Sequence, residues 1–263
     1  MRVIFFGCTK YSEELLNHLF GLKNIEISAI FSIPEEFKIS YSEEPVKNTN
    51  FADLSKIAAE RNIEFHWINS EKGQRTTDHL DEIKKINADI ILVLGWYYMV
   101  SKEIRDLTKY GAWGIHASLL PKYAGGAPLV WAMIDGQKET GVSLFKLDDG
   151  VDDGDIIEQE QFEIEPTDTI NEVYIKATFA SKNILKRVFD DVNYQVNFKV
   201  QDKSQIQVYP QRSPKDGEID WSWDNKRISN FIKAQTKPYP GAWTKIGNKK
   251  VIIWSADIIE ENE

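Results

Sequence analysis

The densest grouping of residues able to do chemistry lies between residues 111 and 155, in the run GAWGIHASLLPKYAGGAPLVWAMIDGQKETGVSLFKLDDGVDDGD. Its apolar stretches predict a strand over 112–115 that delivers His116 to a strand end, then a rigid SLLP turn and a Gly-rich loop at Gly125 and Gly126. A helix over 127–134 and a strand over 141–147 follow, and then an acidic loop, 148–155, carrying Asp148, Asp149, Asp152, Asp153 and Asp155. His116 and Asp152, from adjacent strand ends, make a pair suited to general acid–base work. A nearby carboxylate raises an imidazole pKa and fixes its tautomer. Spacing alone leaves other readings open. His116 serves equally well as a polar residue satisfied at a strand terminus, and the acidic loop as a solvated turn or weak cation site. The loop is not an EF-hand, because the distal bidentate Glu is missing, and no metal ligands are assigned.

The elements that must position this segment alternate strand and helix. Apolar runs predict strands over 2–7, 24–33, 64–68 and 88–94; the last, ADIILVL, is apolar enough to be a central strand buried on both faces. Between them, Leu15, Leu16, Leu19 and Phe20, then Leu54, Ile57 and Ala58, recur at helical spacing, and 76–86 is a further helix. Residues 34–49 show no period and are expected as a surface loop. This βαβα order predicts an α/β fold, an open, mostly parallel Rossmann-like sheet with helices on both faces. Such sheets bind ligands at the carboxyl ends of their strands, which directs attention to the turns after Leu94, His116 and Leu147. The turn after the first strand, GCTKYSEE, lacks GxGxxG, so a nicotinamide-dependent reading loses its support. A long amphipathic helix over 168–189, with Ile170, Val173, Tyr174, Ala177, Ile184, Leu185 and Val188 on one stripe, closes the main domain. A polar stretch, a short helix over 226–234, the turn KPYPGAW and a terminal β-hairpin about Gly247-Asn248 complete the chain. The expected organisation is a catalytic domain over 1–192 and a small C-terminal region over 193–263.

Composition narrows the partners. The chain has 263 residues, 42% apolar and 28% charged, which excludes a disordered or disulfide-stapled class. With 32 Lys+Arg against 41 Asp+Glu its net charge is -9, the wrong sign for a protein whose main ligand is nucleic acid. No run approaches the ~20 apolar residues of a membrane span, and the start lacks a signal-peptide core. The single cysteine, Cys8, fits a reducing compartment, and the expected location is cytoplasmic, without membrane or nucleic-acid partners.

The motifs HASLLPKY, ETGVS and DDGVDDGDI, with the preceding LGWYYMVS, resemble the folate-dependent formyltransferase family, in order and spacing, from the first strand to the acidic loop. The resemblance implies transfer of a formyl group from N10-formyltetrahydrofolate, as cosubstrate and without a metal, to a primary amine. It implies that His116 and Asp152 match the family's catalytic His and Asp. The folate pocket would be formed by Trp96 and Met99 as walls, backbone at Tyr98 and Val100, and the loop at Asp149, Val151 and Asp152. One departure stands out. Two residues before His116 the family has Asn, and this chain has Gly114. Loss of such an oxyanion donor costs ~10²–10³ in rate where a site depends on it. Three readings follow: His116 as imidazolium carries the oxyanion with a backbone N–H or water, Trp113 or Asn248 substitutes, or the chain binds without turning over.

Within that family the tail, YPQRSPKDGEIDWSW followed by KPYPGAW, looks like the sugar-nucleotide branch, which implies a UDP- or dTDP-linked amino-deoxysugar as acceptor, as in polysaccharide biosynthesis. Candidates for gripping its diphosphate are Thr9, Lys10 and Tyr11 after the first strand, Lys122, and Arg212; each serves equally as ordinary surface. The family's YRG is YAG here, so Ala124 removes an Arg. A methionyl-tRNA formyltransferase, which would continue into a basic RNA-binding domain, is the enzyme alternative, and a metal-dependent hydrolase on the acidic loop a distant one. The terminal hairpin needs a surface for its apolar face and is the expected homodimer contact.

Overall fold

The structure is a computed structural model, and it describes residues 1–39, 44–68, 75–190 and 196–259. Its elements in chain order are β1 (Arg2–Phe6), α1 (Lys10–Leu19), β2 (Glu26–Ser32), β3 (Glu36–Phe37), β4 (Val46–Lys47), α2 (Leu54–Arg61) and β5 (Glu64–Trp67). Next come α3 (Leu80–Ile86), β6 (Ile90–Val93), α4 (Lys102–Arg105), β7 (Ala112–His116), β8 (Ala124–Gly125), α5 (Pro128–Ile134), β9 (Glu139–Lys146) and β10 (Ile156–Glu163). The chain ends with α6 (Ile170–Asp190), β11 (Val208–Tyr209), α7 (Asn225–Gln235), β12 (Ala242–Ile246) and β13 (Lys249–Ile253).

Seven strands form the central sheet in the order β10-β9-β7-β6-β1-β2-β5. The pairs β1/β2, β1/β6, β2/β5 and β6/β7 are all parallel, so the mostly parallel Rossmann-like α/β sheet expected from the strand–helix rhythm is present. The small C-terminal helix, α7, and the antiparallel hairpin β12/β13 are present too. Beyond β7 the sheet is extended by β9 and β10, whose backbones bond at both ends of the pair, Lys146 N–H to the Asp155 carbonyl and Ile164 N–H to the Lys138 carbonyl. The sequence pattern missed β10. Its residues, IIEQEQFE, are mostly polar because it lies at the sheet edge, where burial no longer imposes an apolar run.

By contact the chain divides into two compact units. The first comprises Met1–Ile115, Leu144–Glu158 and Ser181–Val200, and the second His116–Ser143, Gln159–Ala180 and Gln201–Glu263. The first unit's core gathers Ile4 and Phe6 from β1, Ala29 and Phe31 from β2, Ile91 from β6 and Ala112 from β7. Residues 34–49 depart from the expected plain loop: β3 and β4 pair antiparallel through Glu36 with Lys47 and Phe37 with Val46, and Phe37 is fully buried. Two residues per strand are too few to leave a period, and 40–43 of that stretch lie outside the described residues. In α6 the expected stripe is buried at Ile170, Val173, Ala177, Ile184, Leu185 and Val188. Its N-terminus is closed by Glu172, which accepts from the Thr169 N–H at 2.9 Å. The last strand, β13, ends at Ile253. Among the described residues no helix is long and apolar enough to cross a membrane.

Cys8 lies fully buried just after β1, and its thiol donates to the Gly95 carbonyl. Burial pushes the thiol pKa up to about 12. The thiolate is then about one part in 10⁴ at pH 8. Native protein is therefore expected to resist iodoacetamide at pH 8 for hours and to take one equivalent when denatured in urea; mass spectrometry of the alkylated chain checks this.

Candidate active site

The turns after β1 and β6 are built against each other in the first unit. Thr9 caps α1 in a reciprocal box with Ser12, whose hydroxyl donates to the Leu94 carbonyl at 2.6 Å. Cys8 N–H reaches the Gly95 carbonyl at 3.2 Å. A Cβ on Gly7 would come within 2.7 Å of the Leu94 carbonyl oxygen, and one on Gly95, whose φ is +71°, would overlap the Thr9 and Ser12 hydroxyls. Only glycine allows this approach. Asn48 fastens the β4 end to the same place: its amide donates to the Cys8 carbonyl at 3.0 Å and accepts from the Tyr97 hydroxyl at 3.2 Å.

The segment carrying Trp96, Tyr98, Met99 and Val100 leaves from that turn. Trp96 stacks tilted on Phe6 at 5.0 Å between centroids, and Tyr98 sets its edge on Phe37 and donates from its hydroxyl to the Lys38 carbonyl at 3.0 Å. Val100 is buried and Met99 is 71% exposed. A residue the sequence reading missed ties this segment to the acidic loop. Arg105, only 8% exposed, donates to the Val100 carbonyl at 2.8 Å and pairs with the Asp149 carboxylate. The fork geometry of one guanidinium can hold two acceptors at fixed spacing. Two stretches singled out separately for the pterin are thus joined through a buried cation that carries no sequence signal of its own, since α4 reads KEIR, with three charges in four residues. One observation fits a flat, hydrogen-bonding ring: the Trp96 indole N–H is buried with no partner among the described residues.

The acidic loop leaves β9 beside the first residue of β7, Leu147 N–H donating to the Ala112 carbonyl at 2.8 Å. Gly154 is obligatory, because a Cβ there would overlap the Lys146 carbonyl, whereas one on Gly150 would meet the movable Asp153 carboxylate. The folded-back loop holds Asp152 at φ +51°, a left-handed conformation costly for a side chain other than Asn or Asp. Gly114 faces its unit's apolar packing. A Cβ there would sit 3.0 Å from the Leu147 Cδ2 and 3.5 Å from the Val93 carbonyl, so a leucine methyl occupies the space an amide would need. Trp113 cannot replace that amide. It is fully buried and its indole already donates to the Tyr110 carbonyl at 2.9 Å.

His116 belongs to the second unit and Asp152 to the first. As the last residue of β7, His116 places its Nε2 2.7 Å from the Tyr123 carbonyl oxygen. The loop between them is fixed by Ser118, which donates to the Lys122 carbonyl at 2.6 Å, and by Ser143, which donates to the Ser118 carbonyl at 2.6 Å and accepts from Leu120 N–H at 3.0 Å. The Gly125-Gly126 loop is not free either, because β8 pairs in parallel with β11 from the tail.

The diphosphate candidates are distributed over both units. Thr9 spends its hydroxyl on the α1 cap, and Tyr11 donates to Ser181 Oγ at 2.8 Å, with burial holding its phenol protonated. Lys10 and Lys122 are exposed. Arg212 lies over the Trp131 ring at 4.6 Å and the Phe231 ring at 5.5 Å, and donates to the Asp216 carbonyl, which fastens the tail to α5 and α7. Among the described residues no group of three or more His, Cys, Asp or Glu is placed to hold a metal ion.

Residues 1–189 match the family described as Formyl transferase, and residues 212–263 match the Formyl transferase C-terminal domain. The chain belongs to the formyl transferase family. The fold of this formyl transferase recurs in a 4-N formyltransferase from Francisella tularensis, 18% identical over 98% of each chain with a TM-score of 0.71. It recurs in the N-formyltransferase from Helicobacter canadensis crystallised with folinic acid and dTDP-3-aminofucose, 19% identical over 95% of this chain and 86% of that one, TM-score 0.68. Methionyl-tRNA formyltransferase from Clostridium thermocellum is 20% identical over 95% of this chain and 90% of its own, TM-score 0.59. The C-terminal region is thus a family element, and its extent does not by itself separate sugar from tRNA acceptors.

Because Arg105 has its partners fixed on two loops, Arg105→Lys is expected to keep the charge but lose the fork. Affinity for a reduced folate should fall about tenfold, with the melting temperature lowered by a few degrees. Calorimetric titration and a thermal melt check both.

Proposed function

We propose that this formyl transferase moves the formyl group of N10-formyltetrahydrofolate onto the primary amine of a UDP- or dTDP-linked amino-deoxysugar, in a cytoplasmic, reducing setting. The observation that carries the acceptor class is the fold shared end to end with sugar N-formyltransferases, one of them crystallised with folinic acid and dTDP-3-aminofucose. The net charge of -9 speaks for a small-molecule acceptor over tRNA. The tRNA reading keeps one support, the overlap with a methionyl-tRNA formyltransferase, and tRNA-dependent consumption of the formyl donor would establish it.

In this reading the amine attacks the formyl carbon, His116 accepts the proton released from the resulting ammonium, and that proton passes to the folate nitrogen as its bond to carbon breaks. Asp152 is assigned the family's carboxylate role, favouring the imidazolium while His116 holds that proton. Trp96, Tyr98, Met99 and Val100, with Asp149 and Val151, hold the pterin; Lys10 and Lys122 are the accessible cations for the diphosphate, with Thr9, Tyr11 and Arg212 in supporting places. With Leu147 filling the space beside Gly114 and the Trp113 indole committed, the oxyanion is carried by imidazolium and backbone N–H groups, not by a side-chain amide. The chain works as a homodimer through the β12/β13 hairpin, where Ile246, Ile252 and Trp254 are exposed.

A screen of amino-sugar nucleotides, read by the mass gain of one formyl group, is expected to find an acceptor; folate binding with no turnover on any amine would refute the transfer reading. His116→Ala and Asp152→Asn should each lower kcat by about 10²–10⁴ with the circular dichroism unchanged. Gly114→Asn alone should cost about 1–3 kcal/mol through overpacking on Leu147. The Gly114→Asn/Leu147→Ala pair should recover stability and raise kcat, as chemical denaturation and steady-state rates will show.

A further inference from the structure

The hydrogen bond between His116 and the main chain decides more than the position of the ring. Nε2 of His116 lies 2.7 Å from the carbonyl oxygen of Tyr123. A carbonyl oxygen only accepts, so Nε2 must carry the hydrogen, and in the neutral imidazole the lone pair is then on Nδ1. The carbonyl that imposes this is held with unusual care. Tyr123 is in the left-handed region at φ +55°, a conformation that an aromatic residue keeps only when its surroundings enforce it.

Those surroundings come from the tail. The Tyr123 ring packs on Tyr209 at 4.8 Å, and its hydroxyl donates to Asp135 at 3.1 Å. The next residues, Ala124 and Gly125, pair with Val208 and Tyr209, and Gly126 N–H donates to the Tyr209 carbonyl at 2.8 Å. Trp131 closes the arrangement by donating from its indole to the Pro210 carbonyl at 3.0 Å. A Cβ on Gly126 would overlap the Gln211 backbone, so the contact is main chain on main chain.

We propose that Tyr123 is a positioning residue whose carbonyl, clamped by tail residues 208–211, locks His116 as the Nε2–H tautomer and makes Nδ1 the nitrogen that exchanges the substrate proton. The inference rests on the transfer reaction proposed above. In that cycle Nδ1 takes the proton from the ammonium formed when the amine bonds to the formyl carbon. The imidazolium then gives it to the folate nitrogen as the carbon–nitrogen bond breaks, while Nε2–H stays on the Tyr123 carbonyl throughout.

The test is nitrogen NMR of uniformly ¹⁵N-labelled full-length protein without ligands, above the titration of its imidazoles. With four histidines in the chain, a His116→Gln spectrum identifies the resonances. The expected result is a pyrrole-type shift at Nε2 and a pyridine-type shift at Nδ1. Gly126→Ala, which forces β8 from the tail, should mix the two tautomers and lower kcat about tenfold, with both KM values within about twofold. Should Gly126→Ala fail to fold, Tyr209→Leu loosens the same clamp and carries the same expectation. A pyrrole-type Nδ1 in the wild type overturns the proposal, as does an unchanged tautomer in a folded clamp variant. Full turnover by His116→Gln overturns the proton-carrying role together with the transfer reading, whatever the tautomer.

Discussion

The first unit depends on a meeting of two backbones. The turns that follow β1 and β6 approach so closely that Gly7 and Gly95 leave no room for a Cβ, and the Ser12 hydroxyl stitches them at the Leu94 carbonyl. Parallel strands deliver chain ends to one edge of the sheet, but do not fix how the outgoing loops lie. Here the close approach does so. It sets the direction in which Trp96 leaves β6, gives Asn48 a carbonyl to bind, and so brings the β3/β4 ribbon with Phe37 under Tyr97 and Tyr98. Arg105 then carries the order onward, from the Val100 carbonyl to Asp149.

The second unit relies on a different device. The chain after His116 makes a loop with few apolar anchors of its own, and main-chain pairing with a segment some 85 residues later holds it (Ala124 with Val208, Gly125 with Tyr209). The side chains that reinforce the pairing are aromatic, Tyr123 and Trp131 against Tyr209, with Arg212 laid over Trp131. Rings bury large areas at small entropic cost, which suits a tail lacking a core of its own.

Much of the sheet was legible because central parallel strands are apolar without interruption, as Ile90 to Val93 are, and because α6 carries a full stripe. The candidate segments were legible as motifs for a related reason. Gly154 stands where the loop folds onto its own backbone at the Lys146 carbonyl, and that steric demand leaves only one residue type. What stayed hidden has no local signature. β10 is polar at an edge; β8 and β11 are two residues each and define one another across the chain; Arg105 is one charge among many until burial shows it between two loops. The left-handed backbone of Tyr123 is set by tertiary contact and occurs at a residue no propensity would choose. Gly114 was visible as a departure, but not the Leu147 methyl beside it, because the two are 33 positions apart.

The burial of Cys8 also decides where oxidative damage would fall. With the only thiol shielded and protonated, peroxide meets thioethers first, and the chain has three methionines. Met133 is buried in α5 and Met1 is half-covered, whereas Met99 stands 71% exposed on the loop after β6. Conversion to the sulfoxide would replace an apolar thioether with a polar, chiral group beside Tyr98. The molecule protects its sulfur nucleophile and leaves its most oxidisable surface on the loop proposed to receive a pterin.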